Sequence, residues 1–304
     1  MKPFNFGQWG FKIDVEKTKE YYKEYNRPKT DADRNFYENY KDLSAEEKEF
    51  FDSFGIDVFS CLKETICIKT NETEMLNCKV YCPVCAESVS IPDIYSLPVE
   101  EIIDCHIKGI LDEQDERVGR FRIDLSGNGR CPCFLPEGFI CFVLYCDEIK
   151  WLLPGEPVSS DYDDMHKQHY EEAFSRLGIN ATPLDCDTVA QLKTEWMNAL
   201  SKKSKNQNKA KRLSEDCIWH IFSFGLLRCD DEEVASRQYD NQNKNSCIFL
   251  SNIDDVGYRI ENADALTAKI LEQFIDVTVT DSDFSWIYVK THEGDCGPYF
   301  HKTC

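Results

Sequence analysis

Three groups of side chains in this 304-residue chain have the types and spacing to do chemistry. The first is Thr291-His292-Glu293, followed by Cys296 and by Gly297-Pro298-Tyr299-Phe300. A thiol, an imidazole and a carboxylate this close could serve as nucleophile, base and orienting group. Local geometry opposes that: on an extended segment neighbouring side chains face opposite ways, so Glu293 cannot orient His292. Cys296 would also sit in a turn bracketed by Gly294 and Gly297, with no helix N-terminus to lower its pKa. No catalytic residue is assigned. Thr291, His292 and Glu293 stand instead as a candidate polar site, joined by His220 if neighbouring strands bring the two histidines together. A structural role explains the same residues: His292 closes a strand by bonding a carbonyl or a carboxylate, and Gly297-Pro298 turns the chain into Tyr299-Phe300.

The second group is Cys82-Pro-Val-Cys85 with Cys131-Pro-Cys133 further on. Zinc needs four ligands in a tetrahedron, and a C-x-x-C turn supplies two of them. The second pair has only one intervening residue, and Ala86 stands where a zinc knuckle usually has glycine. No cofactor is expected, with zinc on Cys82, Cys85, Cys131 and Cys133 as the weaker alternative. The third group comprises the acidic runs Asp161-Tyr-Asp-Asp164 and Asp230-Asp-Glu-Glu233, which read as solvated linker and helix-start carboxylates. No P-loop, G-x-G-x-x-G, H-E-x-x-H or G-x-S-x-G pattern occurs, so the common enzyme classes have no support.

Positioning these groups requires a folded scaffold, and 42% hydrophobic with 12% aromatic residues supplies the material for one. The length suits two domains. No apolar run approaches the roughly 18 residues of a membrane span, and the N-terminus lacks a signal-peptide core, so a cytoplasmic protein without membrane contact is expected. There its 16 cysteines would be mostly reduced thiols, many in hydrophobic positions. The net charge is −20, divided as −11 before and −9 after a split following Pro157. Such a surface repels nucleic acid and favours a basic protein partner. Only Lys202 to Arg212 forms a basic run, read as a solvated loop or helix end. Oligomeric state is not legible.

The expected fold class is α+β in two domains, each a mainly antiparallel sheet packed with helices. Residues 1–157 form the first domain, 158–180 a linker with some helix, and 181–304 the second. Asp14 caps a helix running to Tyr25, and Ser44-x-x-Glu47 is a capping box for a helix that Gly55 stops. Strands are expected around Ile66 to Ile68, Lys79 to Tyr81, Ile103 to Ile110, Val118 to Leu125 and Phe139 to Tyr145. In the second domain Asp187 caps a helix bearing Val189, Leu192, Trp196 and Leu200. A strand from Trp219 to Phe224 follows, placing His220 on an apolar face as a core histidine. Then come a helix from Glu232 to Tyr239, a strand Cys247 to Leu250, and a helix presenting Leu266, Ile270 and Phe274. Strands Val277 to Thr280 and Ser285 to Lys290 form a hairpin over Asp281-Ser282-Asp283.

From Asp187 onward the chain resembles an uncharacterised bacterial domain-of-unknown-function family marked by W-H-x-F-S-x-G and S-W-x-Y-V-x-T-H-E-x-x-x-G-P-Y-F. The matching residues are Trp219, His220, Phe222, Ser223 and Gly225, then Ser285, Trp286, Tyr288, Val289, Thr291, His292, Glu293, Gly297, Pro298, Tyr299 and Phe300. Cys296 is not among the recurrent positions. Ile13 to Tyr22 and Gly55 to Val58 more loosely resemble another uncharacterised bacterial family, whose cysteines between those segments are missing from Asn26 to Tyr40 here. The first family's association with polymorphic-toxin loci implies an immunity-type protein. The expected function is thus an inhibitor that neutralises a toxin effector, such as a basic toxin domain, through an acidic and aromatic surface. The alternatives are a small enzyme using His220, His292 and Glu293, and a zinc-stabilised interaction module.

Overall fold

Side-chain caps fix where the helices of the N-terminal half begin. The computed structural model describes residues 1–6, 8–25, 27, 29–69, 74–91, 116–125, 131–146, 149–216, 219–293 and 296–302. Asp14 accepts from Lys17 N at the start of α1 (Val15–Glu24), Thr30 and Asp33 form a capping box on α2 (Asp31–Tyr40), and Ser44 and Glu47 do the same on α3 (Ala45–Phe54). Gly55 ends α3 with φ +74°, where a Cβ would lie 2.6 Å from the Val15 carbonyl oxygen. The Asp14 cap, the Ser44–Glu47 box and the Gly55 stop were legible in the sequence; the box on α2 was not anticipated.

The chain divides into two compact units, Met1–Tyr162 and Asp163–Cys304. In the first, β1 (Lys2–Phe6) and β2 (Trp9–Ile13) form an unanticipated hairpin, followed after the helices by β3 (Leu62–Lys69), β4 (Glu74–Ser90), β5 (Glu116–Val118), β6 (Phe121–Asp124) and β7 (Phe139–Cys146). All described pairings are antiparallel, and the long β4 carries β3 and β2 on one edge and β7 on the other. The expected Val118 to Leu125 strand is the β5–β6 hairpin, and Ile103 to Ile110 lies outside the described residues. The helices cover the sheet with rings: Phe54 meets Phe142 edge-on at 5.2 Å, and Phe11 meets the same ring at 5.2 Å. Each fully buried phenylalanine contributes about 1.5–3 kcal/mol. Glu47 adds a polar lock, because its carboxylate accepts from the backbone and guanidinium of Arg120 in the β5–β6 turn.

The second unit opens with α4 (Tyr162–Arg176), which occupies most of the span expected as a linker and buries Tyr170 and Phe174 against Phe249. After β8 (Asn180–Pro183) come α5 (Cys186–Lys203), α6 (Gln207–Asp216), α7 (His220–Ser223), β9 (Asp230–Asp231), α8 (Glu232–Asp240), β10 (Ser246–Ser251), β11 (Gly257–Glu261), α9 (Ala268–Leu271), β12 (Val277–Thr280), β13 (Trp286–Lys290) and β14 (Tyr299–Lys302). The sheet order is β8-β11-β10-β12-β13-β14-β9, again antiparallel. The α+β class therefore holds in both units. No helix among the described residues is long and apolar enough to cross a membrane.

Three expectations are corrected. The cap of α5 is Asp185, which accepts from Thr188 N at 2.9 Å, while Asp187 lies one turn-position inside. Residues Trp219 to Phe224 contain the helical turn α7 and not a strand: Phe222 N bonds Trp219 O at 2.9 Å and Phe224 N bonds His220 O at 3.1 Å, so these amides are satisfied within the turn. The helix through Leu266, Ile270 and Phe274 is broken into a 3-10 turn at Ala263–Ala265 and the short α9. Tyr239 Oη and Lys244 Nζ both claim the Leu266 carbonyl, at 2.8 and 3.2 Å, and Asp240 takes the Ala268 amide. These side chains replace the intrahelical partners.

Two buried groups make stability depend on pH in separate windows. The Arg120 bonds hold Glu47 down at about 2, against an ordinary 4.5. Its stabilisation is complete above the ordinary value and is lost as pH falls through about 2. Burial pulls His169 down to about 3 from 6.5. Its contribution is complete above 6.5 and falls by up to about 1.4 kcal/mol per pH unit below it, as the unfolded chain takes up the proton. Urea denaturation of His169→Phe should accordingly lose less stability than wild type between pH 6.5 and 4, and Glu47→Gln should flatten the profile only below pH 4.5. Parallel profiles for wild type and variants contradict the assignments.

Candidate functional site

One acid organises the motif residues of the second unit. Asp276 directly precedes β12 and is 1% exposed. Its Oδ2 accepts from the Trp219 indole N–H at 3.0 Å and lies 2.7 Å from His292 Nδ1. Its Oδ1 accepts from Asn252 Nδ2 at 2.6 Å, and its carbonyl accepts from Asn252 N at 3.0 Å. Thr278 Oγ1 donates in turn to Asn252 Oδ1. A buried carboxylate is costly unless donors surround it, and here three side chains do so. The residues come from α7's leading edge, the turn after β10, the start of β12 and the end of β13, so the carboxylate ties four elements together.

His292 therefore does bond a carboxylate, but one far along the chain. β13 ends at Lys290, so strand alternation stops there. His292 then reaches the Trp219 ring, 5.7 Å between centroids, on the side where Trp219 packs with Ile287 and Val289. On the other face of β13, Tyr288 stacks on Tyr239 at 4.3 Å, so both faces of the strand are covered.

The two histidines meet through that indole. The His220 ring stands edge-on to Trp219 at 4.6 Å and also to Phe224 at 5.4 Å. His220 is half-buried in a helical turn, which corrects its expected place inside a strand. Glu293 does not join them by its side chain: it is exposed, and its carbonyl accepts from the Thr291 hydroxyl. That hydroxyl also donates to the Cys296 carbonyl, closing the loop after β13. Gly294 lies outside the described residues. Gly297 adopts φ +83° with Thr291 and Tyr299 both 3.2 Å from where a Cβ would be, and a cis peptide joins it to Pro298. The Pro298 carbonyl accepts from Glu232 N, and Tyr299 and Phe300 are buried in β14. Trp286 packs beside Tyr239 and Phe300. Ser223 and Phe224 remain exposed, Phe224 at 54%.

A second polar group shares the same end of the sheet. The turn between β10 and β11 carries Asp254, whose Oδ2 is 3.3 Å from His166 Nδ1 and whose carbonyl accepts from Lys193 Nζ at 2.6 Å. Burial lowers the Lys193 pKa, while the charges of Asp255, Asp254 and Asp276 oppose that shift. Asn252 joins this turn to the Asp276 group. Sequence inspection missed Asp254, Asp276 and Lys193. A signal was present for Asp276: it interrupts the apolar run Phe274-Ile275-Asp276-Val277, where an acid implies burial and a partner.

The four proposed zinc ligands do not form the knuckle imagined for them. Cys82 and Cys85 lie within β4, and an odd spacing on a strand sends them to opposite faces. Cys82 Sγ instead lies 3.4 Å from Cys61 Sγ, and Cys133 accepts from Tyr25 Oη. Among the described residues no group of three or more His, Cys, Asp or Glu is arranged to hold a metal ion.

An α+β unit built around a buried Asp–Trp pair with a half-buried histidine on the same acid is thus the structural class of the C-terminal half. Residues 186–300 match the model of a family described as a domain of unknown function (DUF4275), so this half of the chain carries a domain similar to that family. No curated protein and no solved structure matches the chain. The matched span runs from the start of α5 into β14 and includes every residue of the Asp276 group.

Removing the acceptor should cost more than removing one donor. Asp276→Ala is expected to lose about 3 kcal/mol or more, because it strands a buried indole N–H and the Asn252 amide. Trp219→Phe, which removes one of three side-chain donors, should lose about 1–2 kcal/mol. Urea denaturation at neutral pH measures both; an Asp276→Ala loss below that of Trp219→Phe contradicts the ordering.

Proposed function

We propose that the chain is an immunity-type inhibitor acting in the cytoplasm, where it neutralises a toxin effector by binding it. The observation that carries this is charge: 55 acidic against 35 basic side chains, with the excess spread over both halves. Toxin domains that act on nucleic acids are commonly basic, and an acidic inhibitor gains fast, steered association with them. A strip of residues at the first motif supplies a specific contact. Exposed Phe224 stands edge-on to His220, which in turn adjoins Trp219, whose indole N–H is held by Asp276. An aromatic anchor on a fixed support suits an interface hot spot.

A second function is favoured by one observation. A histidine whose Nδ1 meets a buried carboxylate is oriented as general bases are, so His292 with Asp276 would serve an enzyme in place of the His220, His292 and Glu293 set expected from sequence.

Co-expression with the toxic product of an adjacent gene separates the two. Binding should rescue growth, its association rate should fall about tenfold or more between low and high salt, and Phe224→Ala combined with His220→Ala should weaken it. His292→Gln should leave rescue intact if the fold persists. Absence of both complex and rescue defeats the inhibitor; loss of rescue in folded His292→Gln, with binding retained, favours the enzyme.

A further inference from the structure

A cavity of about 470 Å³ opens in the first unit, lined among others by Lys29, Asp33, Arg34, Tyr37, Phe59 and Leu153. The volume is that of a small-molecule site. None of the motifs discussed above reaches it.

Around Asp33, one of the lining residues, cations outnumber anions. Asp33, with a side chain 4% exposed, is gripped by both Nη atoms of Arg27. Lys63, whose side chain is fully buried, lies 3.5 Å from the same carboxylate. Lys63 Nζ donates to the Phe59 carbonyl at 2.8 Å, and Lys29 Nζ donates to that same oxygen at 3.1 Å. Arg27 Nη2 and Lys63 Nζ also donate to the Cys61 carbonyl, at 2.6 and 2.7 Å, so Arg27, Lys63 and Lys29 converge on one carboxylate and two neutral carbonyls. The acids around the rim are engaged elsewhere: Asp31 with Arg34, Glu38 with Lys41, and Asp57 with the Ser60 hydroxyl. Burial pulls the Lys63 pKa down, the charges of Cys61 and Asp33 oppose that shift, and those of Arg27 and Lys29 add to it. In a chain of net charge −20, this is a local reversal of sign.

The walls are apolar and aromatic. Tyr37, half exposed, meets Phe59 edge-on at 5.5 Å, and Leu153 faces the same space. A ligand that fits must carry a negative charge at one end and a flat apolar body at the other. We propose that this cavity binds a small aromatic carboxylate, its anion against Lys29 and its ring among Tyr37, Phe59 and Leu153. The ligand brings the missing counter-charge and frees the Phe59 carbonyl from serving two ammonium groups. Binding here is independent of the toxin-inhibitor function, which concerns residues of the other unit.

Three probes of one shape test the idea on the full chain: indole-3-acetate, neutral indole-3-acetamide and cationic tryptamine, titrated by calorimetry or ligand-observed NMR. The acetate should bind, the amide about tenfold or more weaker, and the amine weakest of all. Lys29→Glu, an exposed substitution, should weaken the acetate by a further tenfold or so while sparing the amide. Leu153→Trp, which fills the space, should weaken both, with folding checked by circular dichroism. Equal affinity for all three probes, tighter binding of the amine, wild-type acetate affinity in Lys29→Glu, or no acetate binding at millimolar concentration overturns the proposal.

Discussion

The C-terminal unit depends on one buried negative charge. A carboxylate removed from water must be surrounded by donors or give up its charge, and Asp276 is surrounded by Trp219, His292 and Asn252. Each donor lies on a different element, so satisfying the acid fixes α7, the β10–β11 turn and the end of β13 relative to β12. The motif residues that look catalytic in one dimension are largely consumed by this requirement. Thr291 closes its own loop, and His292 spends one ring nitrogen on the acid.

The same constraint shapes the surface. With Trp219 anchored below, His220 and Phe224 sit above it in a short helical turn whose backbone is held by Trp219 and His220 carbonyls. A rigid, partly aromatic strip on an acidic body is suited to recognising another protein. The first unit is built differently, from rings packed on a sheet and from ion pairs at helix starts, and its Arg27–Asp33–Lys63 group leaves positive charge under a cavity.

Much of the fold was legible because it is written in local chemistry. Capping residues such as Asp14 and the Ser44–Glu47 pair act within one helical turn, and the Val277 to Lys290 hairpin needs only its own alternation and its Asp281 turn. What could not be read was set by long-range contacts. Trp219 to Phe224 alternates like a strand in sequence, yet the demand that Trp219 reach Asp276, 57 positions away, goes with a helical turn. The helix expected through Leu266 is broken by Tyr239, Lys244 and Asp240, none of them its neighbours. At the candidate site His292 and His220 were legible as residues, and their separation from the Glu293 side chain followed from strand geometry. Asp276 was visible only as an acid in an apolar run, without any indication of which donors it would gather.

The most direct test of the account is a double-mutant cycle on Trp219→Phe and Asp276→Asn, with stabilities taken from urea denaturation at neutral pH. If the buried carboxylate holds the indole, the two losses should fall short of additivity by about 1 kcal/mol or more. Additive losses, with no coupling between the two positions, would contradict the claim that Asp276 organises the motif.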